Sequence, residues 1–267
     1  MSKEIAIQAE DLQIGYQTKN GFVNLTEPFS FKIYQGELLA VIGLNGTGKS
    51  TLLRTLSDNN KYKGTIKIFS EEIGSLSVKQ LAKQIASVST SYQIQSYTKV
   101  IDVVGKGRSV HTNWIGTYEA LDQKIIQESA QKVGVDHLLD QCYNTLSDGE
   151  KQRTLIAMAL AQQANIILLD EPTAFIDYPN KYLLTALLKE ITEKENKTVL
   201  FSSHDLEVVL SYADKILLFA NNKLELLDKK EFLKEEHILK LFNHHQLSDA
   251  FRDNLIQHLL NIQREVD

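Results

Sequence analysis

Gly43-Leu44-Asn45-Gly46-Thr47-Gly48-Lys49-Ser50, followed by Thr51, fits the pattern G-x-x-x-x-G-K-[ST]. Glycines in such a loop let the backbone curl so that successive N–H groups point inward at phosphate oxygens. The helix opening near Lys49 adds its positive end. Lys49 is suited to neutralise β- and γ-phosphate charge, and the Ser50 hydroxyl to ligate Mg²⁺. The surroundings give the pattern its weight. Glu37-Leu38-Leu39-Ala40-Val41-Ile42 reads as a strand before it, and Leu52, Leu53 and Leu56 recur at helical spacing after it. Strand, loop and helix in that order predict nucleotide binding.

Further along, Ile166-Ile167-Leu168-Leu169-Asp170-Glu171 is an apolar strand ending in two carboxylates. A buried strand puts Asp170 at its carboxyl end, near a Mg²⁺ held by Ser50. Glu171, one residue on, faces elsewhere and suits a general base that polarises an attacking water. The competing reading is an ordinary strand running into the polar turn Glu171-Pro172-Thr173, and the glycine-rich loop weighs against it. Upstream, Leu146-Ser147-Asp148-Gly149-Glu150 opens a helix, with Ser147 as N-cap and Glu150 as its capping-box partner. Such a helix start also binds phosphate, and spacing alone does not choose between the two. His204 follows the strand-like run Val199–Ser202, where it either touches a γ-phosphate or is a structural or exposed histidine. Tyr16 either stacks on an adenine ring or packs in the flank.

Around these segments, β-type runs at Glu4–Ala9, Phe29–Ile33, Leu38–Ile42, Thr65–Phe69, Ala86–Thr90, Ile166–Leu169, Val199–Ser202, Lys215–Phe219 and Lys223–Leu227 interleave with helical patterns. The helical stretches are Ser50–Ser57, Lys79–Ile85, Gly149–Gln163 and Tyr182–Glu195. This alternation predicts a mainly parallel sheet covered on both faces. The first 37 residues, with turn pairs Asn20-Gly21 and Gln35-Gly36, read as an antiparallel flank. Residues 91–164 read as a helical insertion between two sheet strands. From Lys229 onward the chain is leucine-rich, and Phe251, Leu255, Leu259 and Ile262 share a helical face that packs on the parent domain or meets a partner.

Composition bounds the answer without naming a chemistry. The chain has 267 residues, 43% apolar and 24% charged, with 29 basic against 34 acidic side chains and a net charge of −5. Its longest purely apolar run, Leu155–Ala161, is far short of the roughly 20 residues that span a bilayer. No secretory signal is read, and one cysteine, Cys142, forms no internal disulfide. The expectation is a cytoplasmic protein, and net acidity argues against broad nucleic-acid binding.

With its motifs in this order, the chain resembles ATPase subunits of ABC transporters over roughly residues 4–227. Gly43–Thr51 resembles the Walker A loop, Asp170-Glu171 the end of Walker B, and Leu146–Glu150 the LSGGQ signature. Ala174-Phe175-Ile176-Asp177 is similar to the D-loop, His204 to the switch histidine, and Tyr16 to the A-loop aromatic. The resemblance implies an α/β P-loop NTPase of ABC type with an N-terminal antiparallel β flank and a helical subdomain. The ATPase domain would span 1–227, with the helical subdomain at about 91–164 inserted, and a C-terminal helical tail would follow at 228–267. It also implies that two copies pair head to tail, so that Ser147, Gly149 and Glu150 serve an ATP bound mainly by the other copy. Two departures stand out. Asp148 and Glu150 replace a glycine and a glutamine of the signature, and an acid near phosphate is unfavourable unless it points away. The Q-loop glutamine, usually directly after a strand like Ala86–Ser89, is matched here by Thr90, with Gln93 and Gln95 nearby.

Leu76-Ser77, Leu81-Ala82-Lys83, Gly107-Arg108 and Trp114-Ile115-Gly116 resemble ATPases of iron-siderophore, haem and cobalamin importers. The resemblance therefore implies an ATP- and Mg²⁺-dependent ATPase that powers import through a separate permease dimer. It would lie on the inner face of the cell membrane, be served indirectly by an extracytoplasmic binding protein, and bind no nucleic acid. The rivals are a soluble ABC-type mechanical ATPase acting on ribosome or DNA, an ABC ATPase for an exporter or another cargo, and a P-loop kinase or GTPase. The last lacks an Asn-Lys-x-Asp guanine-reading motif and leaves the Leu146–Glu150 segment unexplained. His244-His245 is read as solvated, with no metal assigned, and Cys142 as structural.

Overall fold

Leu38-Leu39-Ala40-Val41-Ile42 carries no alternation of apolar and polar residues, the pattern of a strand covered on both faces. In the structure, a computed structural model that describes residues 3–19, 21–58, 62–89, 94–95, 97–112, 118–241, 257–259 and 261, every residue of this strand is buried. The chain runs β1 (Ile5–Thr18), β2 (Gly21–Asn24), β3 (Phe29–Tyr34), β4 (Leu38–Gly43), α1 (Lys49–Asp58), β5 (Tyr62–Ile68) and β6 (Glu71–Glu72). It continues through α2 (Val78–Gln84), β7 (Ile85–Val88), α3 (Val100–Gly105), α4 (Ala120–Lys132), α5 (Asp148–Ala161), β8 (Ile166–Leu169) and α6 (Tyr178–Glu195). The remaining elements are β9 (Thr198–Ser203), α7 (Leu206–Tyr212), β10 (Lys215–Ala220), β11 (Lys223–Asp228), α8 (Lys229–Phe232) and α9 (Glu235–Lys240).

The central sheet has the order β11-β10-β4-β9-β8-β7, parallel except for the edge hairpin β10–β11. Its inner strands divide their side chains between two cores. Leu38, Ala40 and Ile42 face the core shared with α3 to α7, whereas Leu39 and Val41 face the core shared with α1 and the second sheet. Val199 and Phe201 oppose Leu200 in the same way on β9. Each such buried Leu, Ile or Phe contributes roughly 1.5–3 kcal/mol of transfer free energy. The alternation of two covered faces is what fixes strand register here.

The second sheet is antiparallel, with β1 paired to β2, β3 and β5, and β5 to β6. The flank is therefore not confined to the first 37 residues. Thr65 and Ile66 pair with Glu10 and Ala9, so β5 belongs to the flank and not to the parallel sheet. β1 also runs well beyond Ala9. Register shifts between Ala9 and Leu12 and a left-handed Asp11 (φ 47°) bulge it, which breaks the apolar alternation there. Ile85, expected at the end of a helix, instead starts β7 opposite Ile166.

Between β7 and β8 lie the helices α3, α4 and α5, with short 3-10 turns and loops among them. Buried Arg108 ties them together: its Nε donates to Asp122 Oδ1 at 2.9 Å, and its Nη1 to the Ala161 carbonyl at 2.7 Å and Gln163 Oε1 at 2.8 Å. Gly107 packs so closely that a Cβ there would lie 2.1 Å from the Met158 carbonyl oxygen. Of the tail stripe, Leu259 is buried in the larger core, while Phe251, Leu255 and Ile262 lie outside the described residues, as do Trp114-Ile115-Gly116 and His244-His245. No helix among the described residues is long and apolar enough to cross a membrane.

Candidate active site

In the parallel sheet β9 lies between β4 and β8, so the carboxyl ends of three neighbouring strands open on one edge. The glycine-rich loop leaves β4, His204 follows β9, and Asp170-Glu171 follows β8. This is the edge at which open parallel sheets bind ligands. A cavity of about 560 Å³ lies there, lined by Gly43, Asn45, Gly46, Glu171, His204 and Leu241 among others. Its size is that of a small-molecule site.

Two glycines of the loop have separate reasons. A Cβ on Gly43 would lie 2.6 Å from the Phe219 carbonyl oxygen on β10, and Gly48 has φ 115°, a conformation L side chains rarely adopt. Lys49 begins α1 and folds back over the loop, donating from Nζ to the Gly43 carbonyl at 2.8 Å and the Leu44 carbonyl at 3.2 Å. Thr47 Oγ1 donates to the same Leu44 carbonyl at 2.8 Å. Burial pushes the Lys49 ammonium below the usual lysine range, opposed by the negative charges of Glu171 and Asp170. Ser50 and Thr51 form the next part of the first turn of α1.

Asp170 and Glu171 are organised by a residue the sequence reading did not single out. Ser202 is fully buried on β9; its hydroxyl donates to Asp170 Oδ1 at 2.8 Å and accepts from the Glu171 N–H at 2.7 Å. Asp170 N–H donates to the Val88 carbonyl at 2.9 Å, which extends the β7–β8 ladder by one bond. Glu171 then turns off the strand with φ 48°. The register Leu169↔Phe201 brings Ser202 beside the carboxylates, a neighbourhood that no local spacing encodes. A Ser50 hydroxyl and an Asp170 carboxylate are hard oxygen donors, which fit Mg²⁺ completed by phosphate and water. Among the described residues, no group of three or more His, Cys, Asp or Glu side chains is placed to hold a metal.

The remaining candidates belong to other elements. Ser147 N-caps α5. Its backbone N–H and hydroxyl donate to Glu150 Oε2 at 2.8 and 2.7 Å, while its Oγ accepts from the Glu150 N–H at 3.4 Å. These bonds from Ser147 hold the Glu150 carboxyl below its ordinary range. A Cβ on Gly149 would meet nothing within 4 Å, and the exposed Asp148 side chain turns toward Lys151, 3.4 Å away. Asp177 N-caps α6 by accepting from Asn180 N–H at 3.2 Å, and Phe175 before it is 89% exposed with φ 63°. Tyr16 is exposed on β1 opposite Val23. Neither Ser147, Gly149, Glu150, Asp177 nor Tyr16 lines the cavity. Thr90 and Gln93 lie outside the described residues. Ser147→Ala removes the cap and is expected to lower stability by about 1 kcal/mol in urea unfolding. An unchanged midpoint would show that the cap does not hold α5.

A glycine-rich phosphate loop on the central strand, with paired carboxylates at the end of a nearby strand, defines a P-loop nucleotide hydrolase. The description "ABC transporter" fits residues 26–174, and the chain belongs to that family of ATP-hydrolysing proteins. An ABC transporter ATP-binding protein of Methanocaldococcus jannaschii is 36% identical over 92% of this chain and 86% of its own. The ferric enterobactin transport ATP-binding protein of Escherichia coli is 33% identical over 84% of this chain and 82% of its own. Among solved structures, a chain from an inward-facing ABC transporter assigned to the metal-chelate type superposes with a TM-score of 0.78 at 29% identity, covering 89% of each chain.

Proposed function

We propose that this protein is the ATP-hydrolysing subunit of a metal-chelate importer, of the iron-siderophore type. Two copies would act on a permease dimer fed by an extracytoplasmic binding protein, and the chain would sit at the inner membrane face through that permease. The observation that carries the reading is the convergence of Gly43–Gly46 of the loop, His204 and Glu171 on one cavity at the carboxyl ends of β4, β9 and β8, with Asp170 next to Glu171 in the chain. The similarity to siderophore and metal-chelate transport ATPases supports the cargo class.

In this reading the N–H groups of Leu44 to Thr51 bind the phosphates of ATP, and Lys49 trades its loop carbonyls for β- and γ-phosphate oxygens. Ser50 and Asp170 hold Mg²⁺, which when bound spreads the charge of the leaving phosphates. Glu171 accepts the proton of the water that attacks in line, and His204 hydrogen-bonds the γ-phosphate. Tyr16 stacks on the adenine. Ser147 and Gly149 of the other copy, beside Glu150, close over the γ-phosphate, and Asp177 lies at the seam between the copies. The helical region between β7 and β8, with Thr90 or Gln93 at its entrance, passes the resulting motion to the permease.

The test is co-expression with a candidate permease of the metal-chelate type. The expected result is co-purification with an integral membrane protein and ATPase activity that rises when a ferric siderophore and its binding protein are added to proteoliposomes. Stimulation by ribosomes with no membrane partner would overturn the reading.

A further inference from the structure

The side chains of Tyr178, Glu207 and His258 belong together. Tyr178, the first residue of α6, directly follows Asp177, and Glu207 on α7 lies three residues after His204. Glu207 Oε2 accepts from the Tyr178 hydroxyl at 3.1 Å and the Tyr182 hydroxyl at 3.5 Å. Its other oxygen, Oε1, lies 2.9 Å from Nε2 of His258, in the C-terminal tail. A second tie runs alongside, from Lys181 Nζ to Asp205 Oδ2 at 3.2 Å, and Asp205 is also the N-cap of α7. The Tyr182 ring packs on Tyr178 and Tyr212, with centroids 5.0 and 6.2 Å away. Next to His258, Leu259 is 2% exposed within the larger core. Leu206 on α7 and Leu241, just past α9, line the cavity itself.

We propose that the tail residues His258 and Leu259 are a positioning element of the ATPase: through Glu207, His258 fixes the start of α6 against the start of α7, and so sets Asp177 and His204 relative to one another. Anchored by Leu259, His258 supplies the third donor to a carboxylate that two tyrosines already share. The contact between His258 and Glu207 is 60% and 31% exposed, the kind of pair that adds little to global stability. Its effect is to hold one carboxylate in one place, where both strand-end segments register it. The proposal rests on the reading that Asp177 and His204 act in ATP hydrolysis.

The test is steady-state ATP hydrolysis by the purified full-length chain. His258→Ala is expected to lower kcat about fivefold, with KM for ATP within about twofold and the thermal midpoint within about 3 °C of wild type. His258→Gln keeps a donor on that arm and is expected to retain more than half of the wild-type kcat. The double variant His258→Ala/Glu207→Ala should be no slower than Glu207→Ala alone, because both remove one interaction. Wild-type kcat in His258→Ala, or losses that multiply in the double variant, would overturn the proposal. His204→Ala separates it from its premise. An inactive His204→Ala beside a fully active His258→Ala rejects the positioning role alone. A fully active His204→Ala removes the premise and the proposal together.

Discussion

Glu171→Gln is expected to slow ATP hydrolysis by about 10²–10³-fold while ATP affinity stays within about twofold. The substitution keeps the size of the side chain and leaves the backbone N–H bond to Ser202 untouched, so the turn at φ 48° survives. What it removes is a carboxylate able to take a proton from water. Lys49 loses one of the two negative charges that favour its ammonium but keeps its bonds to the Gly43 and Leu44 carbonyls, so the phosphate loop remains intact. Phosphate release measured beside nucleotide binding separates the two effects, and turnover within tenfold of wild type would remove Glu171 from the role of base.

Arg108→Ala carries the second large effect, on stability. Its guanidinium is 4% exposed and bonded to Asp122, the Ala161 carbonyl and Gln163 at once. Truncation leaves the buried Asp122 carboxylate without its cation and two acceptors without a donor, a change that costs about 3–5 kcal/mol. Urea unfolding measures it directly; a loss below about 1 kcal/mol would mean that the region relaxes around the gap. The bond from Arg108 is the main reason the Asp122 carboxyl lies below its ordinary range, with a second bond from the Glu119 N–H. A lowered carboxyl pKa contributes stability above the ordinary carboxylate value that disappears as pH falls through the lowered one. Wild type should therefore lose this contribution on acidification, and Arg108→Ala should show less of that acid-dependent loss.

Gly107-Arg108 also shows where sequence reading meets its limit. As a pair they read as a marker of one importer branch, whereas in the fold Gly107 admits the Met158 carbonyl and Arg108 binds the end of α5. Nothing near them in sequence announces Ala161 or Gln163, more than 50 residues on. Contiguous features were legible. The Gly43–Ser50 loop is defined by neighbours, as is the Ser147–Glu150 cap, because one turn of backbone contains all the partners. β4 was legible because burial on both faces leaves an unbroken apolar run. β5 was recognisable as a strand but not assignable to a sheet, since its alternation says nothing about its pairing with β1. Ser202 lies in a run already read as a strand, and its contact with Asp170, 32 residues away, exists only through the pairing of β8 with β9.

The grip of Lys49 on its own loop has a thermodynamic corollary. Gly43 and Leu44 offer carbonyl oxygens to the ammonium, and on the proposed function these are the acceptors that phosphate oxygens must displace. Nucleotide capture then becomes an exchange of acceptors, and affinity reflects the difference between two good partners for one cation. Because one of those partners is main chain, no side-chain replacement can delete it. The loop keeps that competitor for as long as it keeps its shape.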